Sequence, residues 1–371
     1  MTRTRQALYL AVGLAGACVA GVLALELLLG NWWHADPWLA VARLNVVGDR
    51  RVDFSVEHLY ASAQPTIRYS RDANGLRGSC AQPREIEILT IGGSTTDQRY
   101  VGDGHTWQDG LQQRLTAALG RRVCVTNAGV DGHSSFGHLA ALDHWLPLVA
   151  GLRPRLVVLY IGINDAGFRL QPNEGYDTSP DQPADDLKSL LRERSALVHL
   201  AIAARSVWRG LGAGPAYAEH AKRRLAAADY VVEAPSPGVE ALVGRNTALF
   251  EQRLSAILLR IRERGATPVC VSQPHRFVQD VGGRRRGIAD VFRFENRSFS
   301  GLDYALSLDA LNAAMQRLCT ADRGHFVDLA ARPFAPDDFY DPVHHTPAGA
   351  SRIAGHLAEA FERQGIAALL R

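Results

Sequence analysis

Glu85-Ile86-Glu87-Ile88-Leu89-Thr90-Ile91 runs directly into Gly92-Gly93-Ser94-Thr95-Thr96. The first seven residues are rich in β-branched and apolar types over a run too short for a helix, so they predict a buried strand. Two glycines then permit a sharp exit and close approach of other groups to the backbone. A hydroxyl side chain follows at once. Taken alone, such a turn reads equally as an ordinary helix cap. A phosphate-binding loop is excluded because the Gly-Lys-Ser/Thr element and its lysine are missing. Thr96, where a glycine would be needed, excludes a Gly-x-Ser-x-Gly elbow.

Working outward, the pattern repeats. Residues 122–126 predict a second strand, which leads into Asn127-Ala128-Gly129-Val130-Asp131-Gly132. Residues 156–161 predict a third, ending in Gly162-Ile163-Asn164-Asp165. Helical periodicity fills the gaps at about 106–119 and 136–149. Two further strands are predicted at 267–272 and 326–329. Helices are predicted at about 247–263, at 308–321 with Ser307 as N-cap, and at 347–364. Short apolar strands alternating with helices predict a parallel sheet covered on both faces. Ligands of such sheets bind beyond the carboxyl ends of the strands, which puts Ser94, Gly132 and Asn164 on one edge.

Near the C-terminus Asp341-Pro342-Val343-His344 places a carboxylate three residues before an imidazole. A serine, a loop glycine, an asparagine and an Asp/His pair supply a nucleophile, oxyanion donors, a general base and its orienting group. The competing readings are structural: Asn164 as a turn residue, Asp341 as a turn cap with His344 on the surface, or Asp341, His344 and His345 as metal ligands. No further ligand cluster supports the metal reading. His345 is a second candidate base, less well spaced from Asp341 than His344.

The 371 residues are 47% hydrophobic and 21% charged, with a net charge of +3. That is globular composition, and a near-neutral body excludes a nucleic-acid binder, which needs a concentrated basic face. Residues 7–25 carry no charge and follow Arg3 and Arg5. As a helix they span roughly 28 Å, close to the bilayer core. Glu26 interrupts the run, Leu27 to Leu29 extend it, and Trp32, Trp33 and Trp38 stand where an interfacial belt would lie. The reading is an uncleaved membrane helix through residues 7–29, with its N-terminus in the cytoplasm and the rest of the chain in the periplasm or outside. A cleaved signal peptide is the alternative. Cys80, Cys124, Cys270 and Cys319 would then face an oxidising compartment, where three pairings are open.

The organisation expected is an anchor at 1–30, an extracytoplasmic lead-in at 31–84 and a catalytic domain at 85–364, with a helical insertion at about 166–243. Arg284-Arg285-Arg286 reads as a loop after the fourth strand, either solvated or gripping an anionic group. Trp107, Phe136, Tyr160 and Phe168 stand near the motifs as core residues or as a sugar platform.

The four blocks, in this order, resemble those of the SGNH, or GDSL-like, hydrolase superfamily of esterases, lipases and carbohydrate deacetylases. The resemblance covers about residues 85–364. It implies a flavodoxin-like three-layer α/β/α fold on a five-stranded parallel sheet. It also implies Ser94 as nucleophile, His344 as base and Asp341 as its partner. Oxyanion donors would be the Ser94 and Gly132 N–H groups and the Asn164 side chain. Gly93 stands where many members carry Asp. No metal or organic cofactor is implied. The substrate expected is an acylated glycan or a lipid ester: an O-acyl, most simply O-acetyl, group on an envelope or secreted polysaccharide. Alternatives are a polysaccharide O-acetyltransferase, a lysophospholipase or thioesterase, or a catalytically silent glycan-binding assembly factor.

Overall fold

The structure, a computed structural model, describes residues 3–33, 38, 41, 44–168, 187–201, 204 and 225–371. Most of the insertion expected at 166–243 lies outside them. The chain divides into two compact units, Met1–Ala40 with Asp181–Ala218, and Val41–Pro180 with Glu219–Arg371.

In the first unit, α1 (Arg3–Leu29) is a single uninterrupted helix. Its Val12–Leu29 stretch has a mean hydropathy of 2.2 and is not buried by protein, so it is long and apolar enough to cross a membrane. Glu26, within that stretch, has partners. Its carboxylate accepts from Trp32 Nε1 at 2.9 Å and from the N–H groups of Ala196 and Leu197 at 3.1 and 3.0 Å. Orphan N–H groups at the start of a helical turn are what a carboxylate satisfies best.

In the second unit, chain order is β1 (Arg50–Ser55), β2 (Thr66–Arg71), β3 (Ile88–Gly92), α2 (Trp107–Leu119), β4 (Val125–Asn127), α3 (Ser135–Ala140) and β5 (Leu156–Tyr160). Further along come β6 (Tyr230–Val232), α4 (Val239–Glu263), β7 (Thr267–Val271), β8 (Val278–Val281), β9 (Arg284–Ile288), β10 (Phe292–Phe294), β11 (Arg297–Phe299), α5 (Gly301–Ala321), β12 (His325–Val327) and α6 (Pro347–Arg363). The central sheet has five parallel strands in the order β4-β3-β5-β7-β12. Strand order therefore reverses between β3 and β5, and the crevice at their carboxyl ends is the topological switch point where open α/β sheets bind ligands.

Both faces are covered, as the near-continuous apolar strands require. Leu89, Ile91, Val157, Leu159 and Cys270 pack with Phe250, Leu254 and Ile257 of α4 and Leu308, Leu311 and Met315 of α5. Ile88, Leu156, Val158, Val269 and Val271 pack with Trp107, Leu111 and Leu115 of α2 and Ile353, Leu357 and Phe361 of α6. The parallel α/β/α sandwich expected from the sequence is the one observed.

In the segment before residue 84, β1 and β2 form an antiparallel hairpin, and Arg77 bridges Asn127 at the edge of the central sheet. Two expectations are corrected. Ser307 does not cap a helix. It lies buried inside α5, accepting from Asn246 Nδ2 at 3.1 Å, and the helix begins at Ser300 with a full capping box to Asp303. The arginine triplet is not a loop but the start of β9 in an antiparallel β6-β9-β8 sheet. There Arg285 pairs with Asp309 at 2.8 Å and Arg286 with Glu233 at 2.6 Å.

The four cysteines pair as Cys80–Cys124 and Cys270–Cys319, across 44 and 49 residues. The first ties the lead-in to the strand beside β3, and the second ties β7 to α5. Loops of that length correspond to about 2–4 kcal/mol each in the cross-linked chain. Replacing Cys270 and Cys319 together by Ala is expected to lower unfolding free energy by that amount in urea melts. A change below about 1 kcal/mol would mean that the pair adds no restraint.

Candidate active site

The turn after β3 is built by close packing. A Cβ on Gly92 would come within 2.4 Å of the Tyr160 carbonyl on the neighbouring strand, and one on Gly93 within 2.6 Å of Asn164 Nδ2. Only glycine lets the chain leave the sheet this close to β5. Ser94 then opens a single helical turn, Ser94–Asp97, which Gln98 ends in the left-handed region at φ 50°. Thr95 Oγ1 donates to Gln273 Oε1 at 2.8 Å, and Trp107 Nε1 donates to the Thr95 carbonyl at 3.2 Å. These contacts pin the turn, and Ser94 at its head is half-buried.

The loop after β4 lies against this turn. Val130 N–H donates to the Gly92 carbonyl at 2.9 Å, and Gly132 takes the left-handed conformation at φ 80°. Asn164 Nδ2 donates to the His133 carbonyl at 2.8 Å, which holds its amide between the two loops. Asp165 fixes the far side. Its carboxylate accepts from Ser135 N–H at 3.0 and 3.1 Å and from Ser135 Oγ at 2.5 Å, with Arg253 Nη1 3.7 Å away. The Arg253 guanidinium lies over the Phe136 ring, 3.2 Å from its centroid.

The fourth block folds back on itself. Tyr340 N–H donates to the His344 carbonyl at 3.0 Å, and Phe339 bridges His345. At the tip, Asp341 Oδ1 accepts from the N–H groups of Val343 and His344 at 2.9 and 2.7 Å, an Asx-type turn that aims the carboxylate at its own imidazole. His344 Nδ1 lies 2.6 Å from Asp341 Oδ2, and His344 Nε2 lies 2.7 Å from Ser94 Oγ. Residues 250 positions apart thus meet at hydrogen-bond distance. The Tyr340 ring stacks on the imidazole, with an interplanar angle of 9°.

Electrostatics follow from this packing. Burial favours neutral His344, but the Asp341 carboxylate at Nδ1, with Asp131 behind it, outweighs burial and raises the imidazolium pKa above its ordinary value. His345 is the opposite case. Its ring is buried against Phe339 and Phe334, both ring nitrogens lack a hydrogen-bond partner among the described residues, and burial pushes its pKa down to about 3. It belongs to the core and reaches no reacting group.

Arg99 and Asp131 form an ion pair at 2.9 Å, both partly exposed beside the loop that carries Gly132. Sequence reading missed this pair, as it missed the buried Arg71–Asp97 contact at 2.6 Å under the same turn. Trp107, Tyr160 and Phe168 are fully buried, and Phe136 lies under Arg253, so the four aromatics serve packing. A cavity of about 480 Å³ lined by Leu59, Tyr60, Arg276, Phe339 and Tyr340 abuts Asp341.

Residues 90–352 match the GDSL-like lipase/acylhydrolase family. The chain belongs to that family. As a GDSL-like, SGNH-type protein it is a serine hydrolase of carboxylic esters. A search of curated proteins finds no match. Solved structures to which the chain is similar include TesA, at 15% identity over 74% of this chain and 98% of that one, with a TM-score of 0.38. Another is a catalytic mutant of Axe2, an acetylxylan esterase from Geobacillus stearothermophilus, at 14% identity over 74% and 92%, TM-score 0.39. A third is the acetyl xylan esterase AlAXEase, at 12% identity over 74% and 99%, TM-score 0.37.

Proposed function

We propose that this GDSL-like hydrolase is a membrane-anchored esterase that removes O-acetyl groups from an envelope or secreted polysaccharide, with Ser94, His344 and Asp341 as its triad. The observation that carries the mechanism is the continuous Ser94–His344–Asp341 contact, at 2.7 and 2.6 Å. His344 Nε2 takes the hydroxyl proton as Ser94 Oγ attacks the ester carbonyl. The oxyanion is met by the N–H groups of Ser94 and Gly132 and by Asn164 Nδ2. His344 passes the proton to the departing sugar oxygen, then activates water to release acetate and free Ser94.

Location is supported by α1 and by the two disulfides, which persist where the surroundings are oxidising. A small acyl group on a polar partner is supported by the rim. Arg99 and Asp131 stand beside the Gly132 loop, where a long hydrocarbon chain would need an apolar channel. The cavity against Asp341 combines Tyr60, Tyr340 and Arg276, a mixture of flat rings and a hydrogen-bond donor suited to a sugar ring.

Asn164→Ala is expected to lower kcat by about 10²–10³-fold with little change in KM, because the amide acts mainly on the developing oxyanion. A p-nitrophenyl ester series tests the acyl preference. Acetate as the best substrate upholds the proposal, and rates that climb with chain length would replace it with a lipid or thioester substrate.

A further inference from the structure

The segment from Arg50 to Arg77 lies upstream of the family match at 90–352, yet it delivers two buried guanidinium groups to the turn that carries Ser94. Arg71, at the end of β2, donates through Nη2 to Asp97 Oδ1 at 2.6 Å and to the Gly129 carbonyl at 2.5 Å. Its Nη1 donates to the Gly75 carbonyl at 2.5 Å, and its Nε to the Tyr69 hydroxyl at 2.5 Å. Tyr69 in turn donates to Asp97 Oδ1 at 2.8 Å. Arg77 continues the clasp through Nη1 to the Asp97 and Gln98 carbonyls at 2.7 and 2.9 Å, and through Nη2 to the Val101 carbonyl at 2.5 Å.

The two residues that Arg71 joins are informative. Asp97 closes the helical turn opened by Ser94, and Gly129 stands three positions before Gly132. One planar cation therefore spans the two loops that present the backbone oxyanion donors. The loops also touch directly: Asn127 Nδ2 donates to the Thr96 carbonyl at 2.6 Å, and a Cβ on Gly129 would meet Asp97 N at 2.4 Å. Stability alone does not call for such a device. A buried ion pair is matched or exceeded in stability by apolar residues of similar volume, whereas a fork of fixed donors sets geometry.

Resting on the esterase reading above, we infer that Arg71 is a positioning residue for acyl transfer: it sets the separation of the Ser94 and Gly132 N–H groups that receive the oxyanion. The end of β2 then acts on the Ser94 turn through Arg71. Lysine cannot substitute, since an ammonium group lacks the planar fork that reaches Asp97, Gly129 and Gly75 together.

The test uses the full chain with Arg71→Lys and Arg71→Met, with kcat and KM for p-nitrophenyl acetate expressed per serine titrated by a fluorophosphonate. Arg71→Lys and Arg71→Met are expected to lose about 10²-fold in kcat with KM within about threefold, and to lose boronic-acid inhibition by a similar factor. Arg71→Lys retains the counter-charge of Asp97, so its kcat decides the matter even where Arg71→Met does not fold. An active wild type with Arg71→Lys within about threefold per titrated site overturns the assignment alone. A wild type that neither turns over the ester nor takes the label overturns the esterase reading and this assignment together.

Discussion

Ser94→Ala is expected to lower kcat on an acetyl ester by at least about 10⁴-fold, with a melting temperature within a few degrees of wild type. Ser94 is half-buried at the head of its turn, and its hydroxyl meets His344 Nε2 at 2.7 Å. Removing it opens no core cavity, so the usual sources of large destabilisation are missing. Residual rate would come from the oxyanion donors and binding alone. The same variant should lose all fluorophosphonate label, and peptide mapping of the wild-type adduct should recover Ser94. Label on another serine, or activity that survives the substitution, would remove this site from the reaction.

Asp341→Asn is the second large effect, about 10³–10⁴-fold in kcat. Asp341 Oδ1 is occupied by two backbone N–H groups, so Oδ2 is the atom facing the imidazole. An amide in that place either presents N–H to Nδ1 and enforces the wrong tautomer, or gives up the turn. The pH profile adds an independent reading. With neutral His344 as the proposed base, kcat/KM falls as pH drops through its pKa. Burial opposes protonation, but the Asp341 charge outweighs it and holds that pKa above the ordinary value of about 6.5. The acidic limb of the wild type should therefore lie above that value. In Asp341→Asn the favourable charge is gone while burial remains, so the limb should move to lower pH as kcat falls. A limb that stays in place would mean that another group titrates.

Much of this site is legible in the chain because its parts are local. The strand ends that carry Ser94, Gly132 and Asn164 are marked by apolar runs closing on glycine, and Asp341 reaches His344 through a turn of three residues. The hairpin of β1 and β2 had a signal as well: Val52 and Phe54, then Ile67 and Tyr69, alternate with polar neighbours at the period of a half-buried strand. What could not be read is pairing set by tertiary contact. Arg71 meets Asp97 across 26 positions, and Arg253 reaches Ser135 Oγ across 118. Nothing in either neighbourhood distinguishes those arginines from the many that stay in solvent. Ser307 failed as a cap for a related reason. Ser300 and Asp303 offered the stronger box seven residues earlier, and the helix extended to use it.

The distance along the polypeptide between Ser94 and His344 has a consequence for biogenesis. Ribosomes add about 5–20 residues per second, so roughly 10–50 s pass between synthesis of Ser94 and synthesis of His344. With the proposed triad, Ser94 has no proton acceptor during that interval, whatever esters surround the emerging protein. Acyl transfer by that triad would begin only once the segment that carries His344 has folded against the turn after β3.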